Sequence, residues 1–162
     1  MKVRPREAAD QAAAQAFLAR YNSLPVASLG ELVHFFSLDH PAFAAEDPGG
    51  QLLGMLTDLP GQDWRQCEIL TLHAGEQWRG AGTALIEAVG QLARRQGCAR
   101  LWVLTTNDNV DALRFYQRRG FCLVREHRGA VDRSRARLKP EIPAVGAYGI
   151  LLRDEIELEK QP

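Results

Sequence analysis

Long apolar runs, paired cysteines and an excess charge of one sign are what this 162-residue chain lacks. No stretch approaches the ~18 consecutive apolar residues of a membrane span, so no membrane partner is expected. The first ten residues are polar and carry no apolar core of a secretory signal. The cysteines are Cys67, Cys98 and Cys122, an odd number, with no CxxC and no Cys/His cluster. That argues against a disulfide framework and a zinc site, and makes the cytoplasm the expected compartment with no metal. The cysteines read as small apolar fillers. Basic and acidic residues balance at 20 each, and aromatics are 7% of the chain. A nucleic-acid binder usually has a basic excess and aromatics for stacking, so that class is excluded. No GxxxxGK[ST] occurs, which removes the P-loop.

With 46% hydrophobic and 25% charged residues, the chain is composed like one soluble globular domain over residues 1–162. Residues 2–4 read as a short strand. Asp10 reads as the N-cap of an Ala-rich helix running to Tyr21. The apolar stretch 29–36 is assigned to a second helix. Residues 42–46 and 51–57 flank a Pro48-Gly49-Gly50 turn and form a hairpin. Residues 60–63 are a second turn, and residues 68–74 are a strand rich in β-formers. A strong amphipathic helix follows, with Leu85, Ile86, Val89, Leu92 and Ala93 on one face and Gly97 as its stop. Then come a strand at 101–104, a helix at 109–118 closed by Gly120, and a strand at 121–125. Residues 126–153 read as irregular, and residues 156–158 as a last strand. The order is an α/β domain with a mixed sheet.

The informative segment is strand, glycine-rich turn, helix start: Gln77-Trp78-Arg79-Gly80-Ala81-Gly82. The first N–H groups of a helix have no internal partner, and with the helix dipole they attract anions. Glycines let a bulky anion touch the backbone. The same pattern also suits a plain tight connection. A dinucleotide fingerprint would need a third glycine where Leu85 stands, although Asp108 imitates its ribose-binding acid.

Two motifs resolve the choice. Gln77-Trp78-Arg79-Gly80-Ala81-Gly82 fits [Q/R]-x-x-G-x-[G/A]. Asn109-Val110-Asp111-Ala112-Leu113-Arg114-Phe115-Tyr116-Gln117-Arg118-Arg119-Gly120-Phe121 fits N-x-x-A-x-x-x-Y-x-x-x-G-F. In this order, one helix and one strand apart, they resemble the GCN5-related N-acetyltransferase (GNAT) superfamily. The resemblance implies a single-domain GNAT fold, a mixed central sheet of about six to seven strands flanked by about four helices. It implies an acetyl-CoA-dependent N-acetyltransferase acting directly on a small-molecule or peptide amine, and allows a homodimer. The alternatives are a CoA-binding regulatory module without turnover, and an enzyme for another acyl-CoA or an oxygen acceptor.

The resemblance also implies roles. The backbone at Leu72, His73 and Ala74 would bind the pantetheine arm as an added strand. The backbone from Gln77 through Trp78, Arg79, Gly80, Ala81, Gly82, Thr83 and Ala84 would bind the pyrophosphate. Asn109 would bond the arm, and Tyr116 would protonate the leaving thiolate. Glu68 reads as a general base or a solvated strand-edge carboxylate, and His73 as a rim residue. Trp78 either covers the phosphates or caps the core. Between Arg114 and Lys139 stand nine basic residues and only Glu126 and Asp132 as acids. The stretch reads as a solvated surface, a wall for an anionic acceptor, or a contact for the cofactor's 3′-phosphate. The arginines at 128, 133, 135 and 137 with Lys139 favour an anionic acceptor.

Overall fold

The computed structural model describes residues 1–21, 26–29, 33–60, 65–75 and 80–162, with 26–29, 33–37 and 59–60 as backbone. The chain divides into two compact units. One comprises Met1–Ala27, His34–Leu101 and Pro162, and the other Ser28–Val33 and Trp102–Gln161.

The first unit contains β1 (Lys2–Pro5), α1 (Gln11–Ala19), β4 (Ala42–Glu46), β5 (Leu52–Pro60), β6 (Gln66–Ala74) and α2 (Ala81–Arg95). A separate two-stranded sheet is made by β2 (Val26–Leu29) and β3 (Val33–Phe36). The four strands β1-β4-β5-β6 are antiparallel neighbours, with Val3 opposite Ala45, Ala44 opposite Met55 and Met55 opposite His73. The hairpin expected around Pro48-Gly49-Gly50 is β4–β5. Asp47 shapes its turn by accepting the N–H groups of Gly49 and Gln51 at 2.8 Å.

The apolar stripe of α2 is buried as its periodicity predicts: Leu85, Ile86, Val89 and Ala93 are in the core. Gly54 on β5 makes room for it. A Cβ at Gly54 would lie 3.0 Å from the His73 carbonyl and 3.1 Å from Leu85 Cδ1. A second cluster joins Ala14, Phe17 and Leu18 of α1 to Leu38 and Met55.

Asp10 departs from the expected cap. Its carboxylate gives α1 no capping bond. It receives both Arg4 Nη atoms, at 2.7 and 2.8 Å, and the Glu7 N–H at 2.8 Å. Arg4 also reaches Glu46, so one guanidinium ties β1, β4 and the start of α1. That pairing holds the Asp10 carboxyl well below the usual range.

The second unit contains β7 (Arg100–Thr106, its first two residues belonging to the first unit), α3 (Val110–Gln117), β8 (Cys122–His127), α4 (Ala130–Arg137) and β9 (Glu155–Lys160). The strand order is β7-β9-β8, and β8 and β9 are antiparallel with Leu123 opposite Leu158. Among the described residues, seven strands of a mixed sheet and four α-helices make an α/β fold, in agreement with the expected class.

Two expectations about elements are overturned. The stretch 29–36 is not a helix: its described parts are the end of β2 and all of β3. Gly30 weakens a helix there, and the valine and two phenylalanines of β3 prefer a pleated surface. Residues 126–153 are not irregular throughout, because α4 starts on Gly129, whose φ is +67°. Only Ala130, Val131 and Ser134 of α4 are buried, too few to leave an apolar period in the sequence.

Asp58 is 2% exposed, follows a bulge in β5, and has a carboxylate oxygen without a hydrogen-bond partner. Burial pushes its carboxyl up from 3.8 to about 6. Within that window the native state keeps a proton that the unfolded chain has lost. Stability is therefore highest below the window, falls through it, and stays reduced above it. Replacing Asp58 by Asn is expected to add roughly 1–3 kcal/mol at pH 8 and nothing near pH 4. Urea denaturation at both pH values checks this, and a gain independent of pH contradicts it.

Candidate active site

In the first unit, the candidate residues lie at the end of β6 and the start of α2. Leu72, His73 and Ala74 are half-buried and pair with Leu56, Met55 and Gly54 of β5. The His73 ring stacks on Tyr21 with centroids 5.6 Å apart, and burial lowers its pKa, so it stays neutral. Glu68 lies on β6 opposite Leu59 and is only 5% exposed. It is thus not a solvated strand-edge carboxylate.

The helix α2 begins on Gly80, whose φ of 112° is left-handed, and no side chain caps it. A β-carbon is disfavoured there by conformation, not by space. The first helical bond runs from the Ala84 N–H to the Gly80 carbonyl at 2.9 Å. The amides of Ala81, Gly82 and Thr83 come before it, at the positive end of the dipole. No acidic residue stands in this first turn, while Arg94 and Arg95 complement the other end. Ala81 and Gly82 are buried, and Thr83 and Ala84 half-buried. Gln77, Trp78 and Arg79 lie outside the described residues.

In the second unit, Asn109 is the N-cap of α3. Its side-chain oxygen accepts the Ala112 N–H at 3.1 Å, a role the motif alone did not reveal. The side chain of Tyr116, on α3, is 5% exposed. Its ring packs edgewise on Phe115 and Phe121, each at 5.3 Å. The side chain of Arg119 lies over the Phe115 ring at 3.5 Å. Burial pushes the Tyr116 hydroxyl well above its ordinary pKa, so it carries its proton. A neutral hydroxyl can donate a hydrogen bond, and the raised pKa makes it a weaker acid than an ordinary phenol.

The basic stretch is largely engaged by the protein itself. Arg135 donates to the carbonyls of Ile142 and Pro143 at 2.9 Å and of Leu152 at 2.6 Å, and it pairs with Asp132. Arg128 pairs with Glu126, and Arg153 with Asp154. Glu126, Arg128, Asp132, Arg153 and Asp154 line a cleft of about 420 Å³ whose charges are locally matched. Arg135 therefore gives no support to an anion-binding wall. Sequence reasoning also missed Asn107, and it gave Asp108 a different role. Asn107 accepts the N–H groups of Arg153 and Asp154 and donates to the Leu151 carbonyl. The Asp108 carboxylate accepts the Ala147 N–H, so it is engaged in structure and not displayed like a ribose-binding acid.

Cys67 and Cys98 are buried fillers as expected, and burial pushes the Cys67 thiol up to about 12. Cys122 is exposed, so the filler reading fails there: β8 is last in its strand order and exposed along most of its length. Among the described residues, no group of three or more His, Cys, Asp or Glu could hold a metal ion, and no helix is long and apolar enough to cross a membrane.

Residues 7–121 match the family model described as Acetyltransferase (GNAT) family, and the chain belongs to that family. It is 44% identical over 119 residues to the Bacillus subtilis (strain 168) protein YdhI, covering 73% of this chain and 72% of that one. Its fold superposes on an IAA acetyltransferase from Bacillus cereus ATCC 14579 with TM-score 0.70 at 19% identity, over 99% of this chain and 100% of the other. It also superposes on a Bacillus subtilis acetyltransferase in complex with CoA, with TM-score 0.71 at 17% identity, over 99% and 98%. The expectation of an acetyltransferase agrees with this membership.

Replacing Arg135 by Gln removes charge-assisted bonds to three carbonyls. It is expected to cost about 2–3 kcal/mol of stability while leaving affinity for CoA unchanged. Thermal unfolding and calorimetric titration check the two halves, and a stability equal to wild type contradicts the structural role.

Proposed function

We propose that the protein is a cytoplasmic enzyme that transfers the acetyl group of acetyl-CoA to a primary amine of a small molecule or peptide. The two compact units are read as one N-acetyltransferase domain, because the family match at residues 7–121 runs through both. The observation that carries the reading is Tyr116: buried, protonated, and with a hydroxyl that bonds no described residue. A related fold in complex with CoA supports the choice of cofactor.

The amides of Ala81, Gly82 and Thr83, with Gln77, Trp78, Arg79, Gly80 and Ala84 by motif, hold the pyrophosphate. The backbone at Leu72, His73 and Ala74 holds the pantetheine arm. The Asn109 amide group, whose oxygen alone is spent on the cap, donates to the same arm. Acetyl-CoA supplies the activated thioester. The amine nitrogen attacks the thioester carbonyl, the C–S bond breaks, and the Tyr116 hydroxyl donates a hydrogen bond to the leaving thiolate. Glu68 accepts the amine's proton. A lysine-like amine is mostly protonated at pH 7, at a cost of about 4–5 kcal/mol to deprotonate, so the site needs such a base.

Acetyl-CoA at ~100 times its dissociation constant is expected to add about 2.7 kcal/mol. That corresponds to a rise in melting temperature of roughly 5–10 °C. NAD is expected to add nothing. Tyr116→Phe is expected to keep that shift and slow transfer roughly 100-fold or more. Full turnover by Tyr116→Phe removes Tyr116 from the mechanism, and a larger shift with NAD overturns the acetyltransferase reading.

A further inference from the structure

Tyr148 is the one residue other than glycine with a positive φ among the described residues, at φ 58° and ψ 19°. For a residue with a β-carbon this conformation is disfavoured, and a bulky aromatic is an unusual occupant. Its side chain is 71% exposed, so burial does not offset the cost. Strain retained at an exposed aromatic points to a use outside folding.

The ring is held in place. It stands at the tip of a small hairpin closed by Leu152 N–H to the Ala144 carbonyl at 2.9 Å and Gly146 N–H to the Ile150 carbonyl at 2.8 Å. The buried Asp108 accepts the Ala147 N–H at 2.8 Å and the Thr106 hydroxyl at 2.5 Å. A β-carbon at Gly146 would overlap the Asp108 carboxylate, so the hairpin is fitted against it. The Tyr148 hydroxyl donates to Asp111 at 2.5 Å. Asp111 is in the first turn of α3, two residues after Asn109 and on the helix that carries Tyr116. Val145 and Leu151 bridge each other across the hairpin, and both are exposed.

We propose that Tyr148 is a specificity-determining residue, whose ring is a fixed platform for the flat apolar body of the acceptor amine. The acceptor class is then a primary amine on an aromatic or heteroaromatic group. The inference rests on the proposed transferase reading, because Asn109 and Tyr116 are what put α3 at the reaction. A ring face fixed by its hydroxyl stacks on an aromatic acceptor without losing rotamer freedom on binding. Asp111 orients the ring, and Val145 and Leu151 extend the apolar surface.

The test compares 2-phenylethylamine with ethylamine at saturating acetyl-CoA. The wild type is expected to favour 2-phenylethylamine by at least 10-fold in kcat/KM. Tyr148→Gly relieves the strain and is expected to raise the melting temperature. It is also expected to raise KM for 2-phenylethylamine roughly 5- to 10-fold, with KM for acetyl-CoA unchanged. Tyr148→Phe keeps the ring but loses its bond to Asp111, and is expected to recover only part of the affinity. No preference for 2-phenylethylamine, or an unchanged KM in Tyr148→Gly, overturns this proposal and leaves the transferase reading standing. Absence of acetyl-CoA binding in the wild type overturns the transferase reading, and this proposal with it.

Discussion

The start of α2 is the constraint on which the candidate chemistry of the first unit depends. The helix must begin without a side-chain cap if its first amides are to meet an anion, and Gly80 makes this possible by taking a left-handed conformation. A serine or aspartate cap would stabilise the helix by about 1 kcal/mol and occupy the donors. The helix is instead stabilised by its buried stripe of Leu85, Ile86, Val89 and Ala93, and by the close approach that Gly54 permits. Packing along one face thus stabilises the helix without a side-chain cap.

The second unit solves a different problem. Between β8 and β9 the chain has few buried apolar residues, so its order comes from polar groups. Asn107, Asp108, Arg135 and Asp154 each satisfy backbone groups that would otherwise compete for water. Asp154 accepts the Gly129 N–H at the start of α4, and this bond, first among the causes, holds its carboxyl below the ordinary range. Arginine serves here as a scaffold more than as a display of charge. Counting nine basic residues in the sequence does not distinguish those two uses.

What was legible followed from periodicity and glycine. The stripe of α2, the hairpin β4–β5 and the strands β6 to β9 were visible because apolar spacing and turn residues agree. The two motifs point to Tyr116 and to the start of α2. Less legible were elements set by tertiary partners. The helix α4 has a polar sequence and forms on Gly129 against Asp154 and Arg153. Residues 29–36 carry apolar residues that fit either period, and the β-formers prevailed. Asp10 looked like a cap because its place before an Ala-rich run is a cap's place, yet Arg4 takes its carboxylate. The acceptor could not be read from charge alone, and the strained Tyr148 is visible only in the backbone.

The central claim is that the first amides of α2 bind the pyrophosphate of CoA. The most direct measurement is a titration of the ¹⁵N-labelled protein with CoA, followed through the backbone amide resonances. The account predicts that the Ala81, Gly82 and Thr83 amides shift most, together and saturably, while NAD at the same concentration leaves them in place. Saturating CoA that moves other amides and leaves these three unchanged would contradict it.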